Sequence, residues 1–423
     1  MNILQIIEAI AIIPTLFLLI IVFLQYSILL FTPKKKISGK FKSSVSILVP
    51  AHNEGQNLEK TIESILNSGF KGKKEIIVID DGSTDNTTQI IKKFEEKKLV
   101  RSVRTNHIGK SRAMNEGLKL AKYEIAVTVD GDTKIEKGSL DKLILPFKDE
   151  KVAATIGVIK VANTHNPLTW FQRLEYLYYS FYKSLCDRID GIISATGTFS
   201  AIRKKYLNRG YSSKFYSEDI DLTLNLIKSG YKIRFAPEAI AYTFVPESLK
   251  GLARQRYRWC RGCIQVMKEH SDLFFNRKHL GAGFFSLPVL LYWYWHSLVM
   301  GLLIFLQIFL GYYTYFYIYG SILSFEVIKY FFYWLSVFGM VNLSYQILIG
   351  NFPLTLLAIL NIIAVPLTYL MYFYSMRQLR EKITVKDILA LIFMFPYWIL
   401  IMAVQVYSNR EWLRPEPKNR WDK

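Results

Sequence analysis

The chain has 423 residues, more than one ordinary domain needs, and 51% of them are hydrophobic, which indicates membrane segments rather than a purely soluble enzyme. Its 54 Lys and Arg against 34 Asp and Glu give a formal charge of +20, which suits lipid headgroups and nucleotides. No arginine-rich arm or zinc-finger spacing accompanies that charge, so nucleic acid is not an expected partner.

The first predicted element is an apolar helix. Residues 3–31 are almost uncharged, with only Glu8 among them, and are long enough to cross a bilayer. The stretch exceeds the apolar part of a typical signal peptide and lacks a clear cleavage site, so a retained transmembrane helix is predicted over residues 1–33. Three lysines follow it at 34–36, and the positive-inside rule therefore places the next region in the cytoplasm.

Short β-branched runs then alternate with helical patterns. Strands are predicted at 45–50, 75–80, 99–105 and 124–130, with helices at 55–68, 84–97 and 109–121. This order is typical of an α/β domain with a parallel sheet. Less regular elements follow: a strand near 152–159, an amphipathic helix near 168–186, a strand near 198–203 and a helix from Glu218. With no linker or repeat visible, residues 34–282 are predicted to be one elaborated domain.

The last large region, residues 283–408, consists of apolar segments with short polar breaks. Three spans are predicted before the break at 377–386 and one after it. Basic residues in that break and in the tail, 409–423, both favour the cytoplasm, which a simple crossing cannot satisfy. Either residues 387–407 re-enter or lie in the interface, or the 376–386 loop is forced outside.

Polar motifs follow the carboxyl ends of three predicted strands, the edge at which open α/β sheets bind ligands. They are Ala51-His52-Asn53-Glu54, Asp80-Asp81-Gly82-Ser83 and Asp130-Gly131-Asp132. Asp130 and Asp132 can hold a divalent cation on a diphosphate, and Asp80 and Asp81 can accept hydrogen bonds from a uracil or ribose. A solvated turn is the alternative explanation of each motif.

Two motifs lie at predicted helix starts. Gly109-Lys110 offers free amides and a cation to a phosphate, unless it is only a solvated helix start. Glu218-Asp219 places carboxylates where the helix dipole keeps them ionised, as a general base requires, although simple capping would use the same residues.

An arginine-rich helix carries Gln255-Arg256-Tyr257-Arg258-Trp259. Arg254, Arg258 and Arg261 share one helical face, guanidinium groups hold diphosphates, and an indole stacks on sugar rings. The alternative is a basic amphipathic helix on a membrane surface. Cys260 and Cys263 follow without a second pair or histidine cluster, so two plain thiols are expected rather than a metal or redox site.

Together and in order, these motifs resemble the family-2 inverting glycosyltransferases, specifically the processive membrane synthases of cellulose, hyaluronan and poly-N-acetylglucosamine. The resemblance covers most of residues 45–262. It implies a Rossmann-like α/β GT-A domain in the cytoplasm joined to an α-helical transmembrane region that forms a polymer channel. It implies polymerisation of a UDP-sugar, with UDP-N-acetylglucosamine favoured, into a β-linked polysaccharide that crosses the cell membrane.

The resemblance also implies residue roles. Asp219, paired with Glu218, would be the base, and Asp130 with Asp132 would hold Mg²⁺ or Mn²⁺. The residues expected to bind donor or acceptor are Glu54, Asp80, Asp81, Lys110, Thr196, Gly197, Gln255, Arg258 and Trp259. Ser217 stands where the family usually has threonine, and Cys-Arg-Gly follows Trp259, so the sugar stays open.

Alternatives and further partners complete the prediction. The rival enzyme is a non-processive transferase acting on a lipid or short acceptor, or a synthase of cellulose, hyaluronan or mannan type. The rival of another class is a catalytically silent membrane scaffold. Membrane lipid, the growing polysaccharide and a small accessory membrane subunit are the other expected partners.

Overall fold

The computed structural model describes residues 3–35, 37–195, 197–207, 210–319 and 324–414. They form an α/β domain packed against long apolar helices. The strands are β1 (Val45–Ala51), β2 (Lys74–Asp81), β3 (Arg101–Thr105), β4 (Ile125–Thr128), β5 (Thr133–Ile135), β6 (Val152–Val161), β7 (Ser200–Arg203) and β8 (Lys232–Thr243). The helices are α1 (Ile3–Phe31), α2 (Leu58–Leu66), α3 (Thr87–Glu96), α4 (Lys110–Leu120), α5 (Ser139–Ile144), α6 (Pro167–Arg188), α7 (Glu218–Lys228), α8 (Leu249–Glu269), α9 (Leu287–Tyr319), α10 (Phe325–Leu335), α11 (Phe338–Leu348), α12 (Leu356–Gln378), α13 (Val385–Ile392) and α14 (Met394–Ser408).

One eight-stranded sheet runs through the domain in the order β3-β2-β1-β4-β7-β6-β8-β5. The four strands predicted first, β1 to β4, pair in parallel, and Val45 lies opposite both Lys74 and Ile125. The parallel α/β start is therefore confirmed. β8 was not predicted, because Pro237 and two register shifts against β6 interrupt the alternation that marks a strand.

Apolar side chains cover both faces of the sheet. Along β1, Ile47 and Val49 pack into the cluster on the α2 and α5 side, whereas Leu48 packs into the cluster formed with α4, α6, α7 and α8. All three are fully buried, and burial of such a side chain contributes roughly 1.5–3 kcal/mol. This two-sided core fixes the strands whose carboxyl ends carry the polar motifs.

Among the described residues, three helices are long and apolar enough to cross a membrane: Ile6–Phe31, Gly281–Ile318 and Leu356–Gln378. Three spans were predicted between residues 283 and 377. Two of them are single helices, Gly281–Ile318 and Leu356–Gln378. The third is the pair α10 and α11, bent by 106°. Gly339 allows this bend, because a Cβ there would lie 2.2 Å from the carbonyl oxygen of Tyr333.

The last apolar segment, Val385–Leu413, is a second pair, bent by 60°. Its start contacts the α/β domain through Arg173, which pairs with Asp387, and Glu381 just before it accepts from Lys160 at 2.7 Å. Its end also contacts that domain, since Glu411 lies 3.1 Å from Arg261 on α8. Both ends of this segment therefore contact the α/β domain.

The two bends meet inside the apolar region. The backbone N–H of Val337, between α10 and α11, donates to the carbonyl of Ile392 at the end of α13, at 2.9 Å. Phe332 packs edge-on against Phe393 beside this bond, with ring centroids 6.2 Å apart. Each broken helix thus satisfies a backbone group of the other, as non-helical backbone at membrane depth requires.

Candidate active site

Three carboxylates gather where β1 and β4 end. Glu54 follows β1, Asp130 and Asp132 follow β4, and Gly131 lies between the strands' ends. A Cβ on Gly131 would come within 3.1 Å of Cγ of Glu54, so glycine permits this close approach. Asp132 accepts from the hydroxyls of Thr133 and Thr243, at 3.0 and 3.3 Å, which fixes its orientation. The sheet topology therefore brings the first and third motifs together.

Negative charge accumulates in this group. Burial raises the pKa of Glu54 to about 7, and the charges of Asp132, Asp130 and Asp85 add to the effect. Burial and Asp130 raise the pKa of Asp132. Oxygen ligands crowded in this way suit Mg²⁺ or Mn²⁺, which would relieve the repulsion. Among the described residues no group of three or more His, Cys, Asp and Glu has the geometry of a complete metal site, so a bound cation would take further oxygens from its substrate.

Lys110 begins α4 beside these carboxylates. Its Nζ donates to Asp130 Oδ1 at 2.7 Å. Burial opposes the charged form of Lys110, but Asp130 and Glu218 outweigh that cost and raise its pKa. Gly109 precedes it with a φ of 90°, a conformation that favours glycine. The predicted phosphate-binding lysine thus lies next to the predicted metal-binding motif.

Asp80 and Asp81 hold the loops around this site. Asp81 accepts from the backbone N–H groups of Ile108 and Gly109, at 2.8 and 2.9 Å. Asp80 accepts from the Ser83 N–H at 2.8 Å. Both carboxylates are buried, and the structure shows them bonded to these loops. Direct contact with a base or ribose stays a prediction.

Two imidazole rings, which were not predicted as site residues, lie on the same edge. His52 and His107 have ring centroids 4.2 Å apart, and Nδ1 of His52 is 2.7 Å from the carbonyl oxygen of Asp81. Since they come from loops after different strands, their contact is a product of the sheet order.

The acidic pair begins α7, where Glu218 lies near Lys110. Asp219 Oδ2 accepts from the Ser194 hydroxyl at 3.2 Å, and a Cβ on Gly197 would lie 3.3 Å from the same oxygen. Burial raises the pKa of Glu218 to about 7; Lys110 opposes this shift and Asp219 adds to it. Asp219 therefore faces the predicted acceptor loop, while Glu218 faces the lysine. Thr196, predicted in that loop, lies outside the described residues.

Helix α8 completes the site. Arg258 is close enough to Lys110 and Glu218 to lower the pKa of both. Oε1 of Gln255 is buried and has no hydrogen-bond partner among the described residues, which leaves it an acceptor for a ligand. Trp259 is partly buried, and the guanidinium of Arg256 lies 4.3 Å from the centre of its indole ring. Sequence analysis did not assign a role to Arg256 or to its partner Glu175.

The arrangement suits group transfer between a diphosphate and a hydroxyl. Lys110 and Arg258 supply positive charge, Asp130 and Asp132 supply oxygen ligands, and Asp219 supplies a carboxylate beside Gly197. When a hydroxyl displaces a diphosphate from a carbon atom, cations stabilise the leaving diphosphate and a base takes the proton of the incoming hydroxyl.

We expect the metal-free protein to lose stability as pH rises from about 4.5 to about 7. Burial raises the pKa of Glu54 to about 7, so between these pH values the folded state holds a proton on Glu54 that the unfolded state has released. As the pH rises, this carboxyl must ionise in its buried position, and the free energy of unfolding decreases. Each such carboxyl contributes a slope of up to about 1.4 kcal/mol per pH unit. Thermal unfolding in detergent with EDTA, between pH 5 and 8.5, measures the slope.

Glu54→Gln is the matched control for this pH effect. It should flatten the slope, and saturating Mn²⁺ should flatten it in the wild type, because the cation replaces the proton. An unchanged slope in Glu54→Gln would show that another group is responsible.

Comparison with known proteins identifies the domain. Residues 46–210 match the family described as Glycosyl transferase family 2. The chain is 31% identical over 229 residues to the poly-beta-1,6-N-acetyl-D-glucosamine synthase of Staphylococcus aureus (strain COL), covering 53% of this chain and 55% of that protein. It is 34% identical over 258 residues to the Bacillus subtilis protein named "Probable glycosyltransferase YdaM", covering 58% and 61%. The chain thus spans somewhat more than half the length of these relatives.

A solved structure supports the fold. The mannosyltransferase PcManGT from Pyrobaculum calidifontis, in complex with GDP-Man and Mn2+, matches with a TM-score of 0.60 over 96% of this chain and 99% of that one. At 17% identity this likeness concerns the fold alone. It confirms the predicted GT-A-like, Rossmann-type domain joined to helices apolar enough to span a membrane. Residues 46–210 therefore form a family-2 glycosyltransferase domain, and the chain is similar to the poly-N-acetylglucosamine synthases.

Proposed function

We propose that this protein is a membrane-embedded inverting hexosyltransferase that polymerises a UDP-sugar, with UDP-N-acetylglucosamine favoured, into a β-linked polysaccharide and moves the product across the cell membrane. The observation that carries the proposal is the position of Asp219. It lies against Gly197 of the acceptor loop, while its neighbour Glu218 interacts with Lys110 and Arg258. The proposed base therefore lies next to the residue that interacts with the cations that would bind the leaving diphosphate.

The proposed reaction is a single displacement. Asp219 takes the proton of an acceptor hydroxyl as that oxygen bonds to the anomeric carbon of the donor sugar. The bond from that carbon to the diphosphate oxygen breaks on the opposite face, and UDP leaves with the electron pair. Attack from the opposite face inverts the anomeric carbon and produces a β-linkage from an α-linked donor.

The other site residues bind and orient the reactants. Lys110 and Arg258 neutralise the charge that develops on the departing diphosphate. Mg²⁺ or Mn²⁺, held by Asp130 and Asp132, supplies further positive charge there when bound. Trp259 offers its ring face to the acceptor sugar, and the unpartnered Oε1 of Gln255 offers an acceptor for a ligand hydroxyl.

The proposed division of the chain follows from this role. Residues 1–33 anchor the chain, 34–282 form the cytoplasmic transferase, 283–408 line the polymer path and 409–423 form a cytoplasmic tail. Its supports are the three helices long enough to cross a membrane and the contacts that place both ends of Val385–Leu413 against the α/β domain. Lipid and a small accessory membrane subunit are proposed as further partners.

The test is release of UDP by detergent-purified protein with Mg²⁺ or Mn²⁺. UDP-N-acetylglucosamine, UDP-glucose, UDP-glucuronate and UDP-galactose are supplied separately, and the product is sized. GDP-mannose belongs in the panel because the structural neighbour is a mannosyltransferase with GDP-Man bound. Turnover of UDP-N-acetylglucosamine into long chains supports the proposal. Short products would favour the non-processive alternative, and an inactive protein that still binds UDP would favour the silent scaffold.

A further inference from the structure

A buried ion pair lies behind the indole of Trp259. Arg256 Nη2 is 2.6 Å from Glu175 Oε2, and the two residues are only 3% and 1% exposed. The hydroxyl of Tyr397 on α14 donates to the same carboxylate oxygen. The pair therefore joins α6, α8 and the second bent segment at one point.

The ion pair holds the guanidinium in one orientation. Arg256 carbon Cζ lies 4.3 Å from the centre of the Trp259 ring, within range of a cation–π contact. Phe171 stacks on Tyr397 with centroids 5.5 Å apart, which fixes the hydroxyl that bonds Glu175. One face of the Trp259 ring is thus covered by the guanidinium of Arg256, and contacts from α6, α8 and α14 determine the position of that guanidinium.

Stability alone does not account for this pair. Desolvating two charges costs several kcal/mol per ion, so a buried ion pair is often no more stable than an apolar replacement. Nε and Nη1 of Arg256 and Oε1 of Glu175 also have no hydrogen-bond partner among the described residues, which adds to the cost. A role in positioning a neighbouring group would explain the presence of such a pair.

We propose that Arg256, held by Glu175 and Tyr397, is a positioning residue that fixes the plane of Trp259 and thereby the site at which the acceptor sugar stacks. The proposal rests on the function proposed above, because it takes Trp259 as the acceptor platform. Through Tyr397 it also links the acceptor position to the bent segment α13–α14, so movement of that segment would tilt the indole.

Arg256→Lys tests the proposal. Lysine keeps a charge for Glu175 but has no planar group to lie over the indole. We expect the KM for a β-linked N-acetylglucosamine pentasaccharide acceptor to rise about 10-fold, with the donor KM changed by less than about 2-fold. Tyr397→Phe, which removes only the hydroxyl, should shift the acceptor KM in the same direction by about 3-fold. Lys250→Arg, at an exposed basic residue near the start of the same helix, is the matched control.

A double mutant separates positioning from general packing. If Arg256 acts through Trp259, adding Arg256→Lys to Trp259→Ala should not raise the acceptor KM further, whereas a merely structural role would give additive effects. Equilibrium binding of the pentasaccharide provides a readout that needs no turnover. Wild-type protein that binds it without releasing UDP would contradict the proposed function, and the binding comparison would still decide the role of Arg256. Equal acceptor affinity in wild type and Arg256→Lys, or no pentasaccharide binding by wild type, would overturn the inference.

Discussion

Asp219→Asn should lower kcat by about 10³-fold, the range expected when a general base is lost. The amide keeps the size and the contact with Ser194, which lies 3.2 Å from Oδ2, but it does not accept the acceptor's proton. Because the cationic group around Lys110 is untouched, the affinity for UDP should stay within about 2-fold of wild type. Single-turnover transfer and calorimetric titration with UDP measure the two quantities.

Glu218→Gln is the comparison that identifies the base within the pair. Burial raises the pKa of Glu218 to about 7, so near pH 6 its carboxyl is largely protonated and an amide resembles it. We expect a loss of less than about 10-fold at pH 6 and a larger loss at pH 8. If Glu218→Gln loses all transfer at both pH values while Asp219→Asn elongates normally, the assignment of the base is wrong.

Asp132→Asn should lower kcat/KM by about 10²-fold or more at limiting Mn²⁺, because the proposed metal ligand loses its charge. The hydroxyls of Thr133 and Thr243 still have an oxygen to contact, so the fold should persist. Raising the metal concentration should recover part of the activity, and EDTA should abolish the activity of the wild type. Initial rates over a Mn²⁺ titration give these values.

Asp149→Asn is the matched control, since Asp149 is an exposed aspartate of the same domain, 3.7 Å from Lys232. It should leave the metal dependence unchanged. A metal dependence in Asp132→Asn equal to that of wild type would remove Asp132 from the metal site.

The elements with a strong local pattern were the ones predicted correctly. β1, β2 and β4 are short buried runs, and α1 is a long apolar stretch, so neighbouring residues alone determine their class. Their order also placed Glu54, Asp81 and Asp130 at one edge, because parallel strands have their carboxyl ends together. β8 was missed because Pro237 interrupts its pattern.

The sequence supplied a list of candidate site residues but not the contacts between them. The Lys110–Asp130 hydrogen bond and the hydrogen bond from the Gly109 N–H to Asp81 involve side chains that the sequence predicted to bind a ligand. Helical spacing separates Arg256, which is buried, from Arg254 and Arg258, which are exposed, but it does not indicate the partners that Arg256 contacts.

The sequence by itself determined the α/β order, the apolar helices and the likeness of the α/β domain to the family-2 glycosyltransferases, because strand alternation, helix length and motif spacing are properties of neighbouring residues. Only the tertiary structure decided which distant groups meet. Glu175 and Arg256 are 81 positions apart, and Glu175 and Tyr397 are 222 apart. Such contacts depend on how α6, α8 and α14 pack, and the same packing turns Val385–Leu413 back toward the α/β domain.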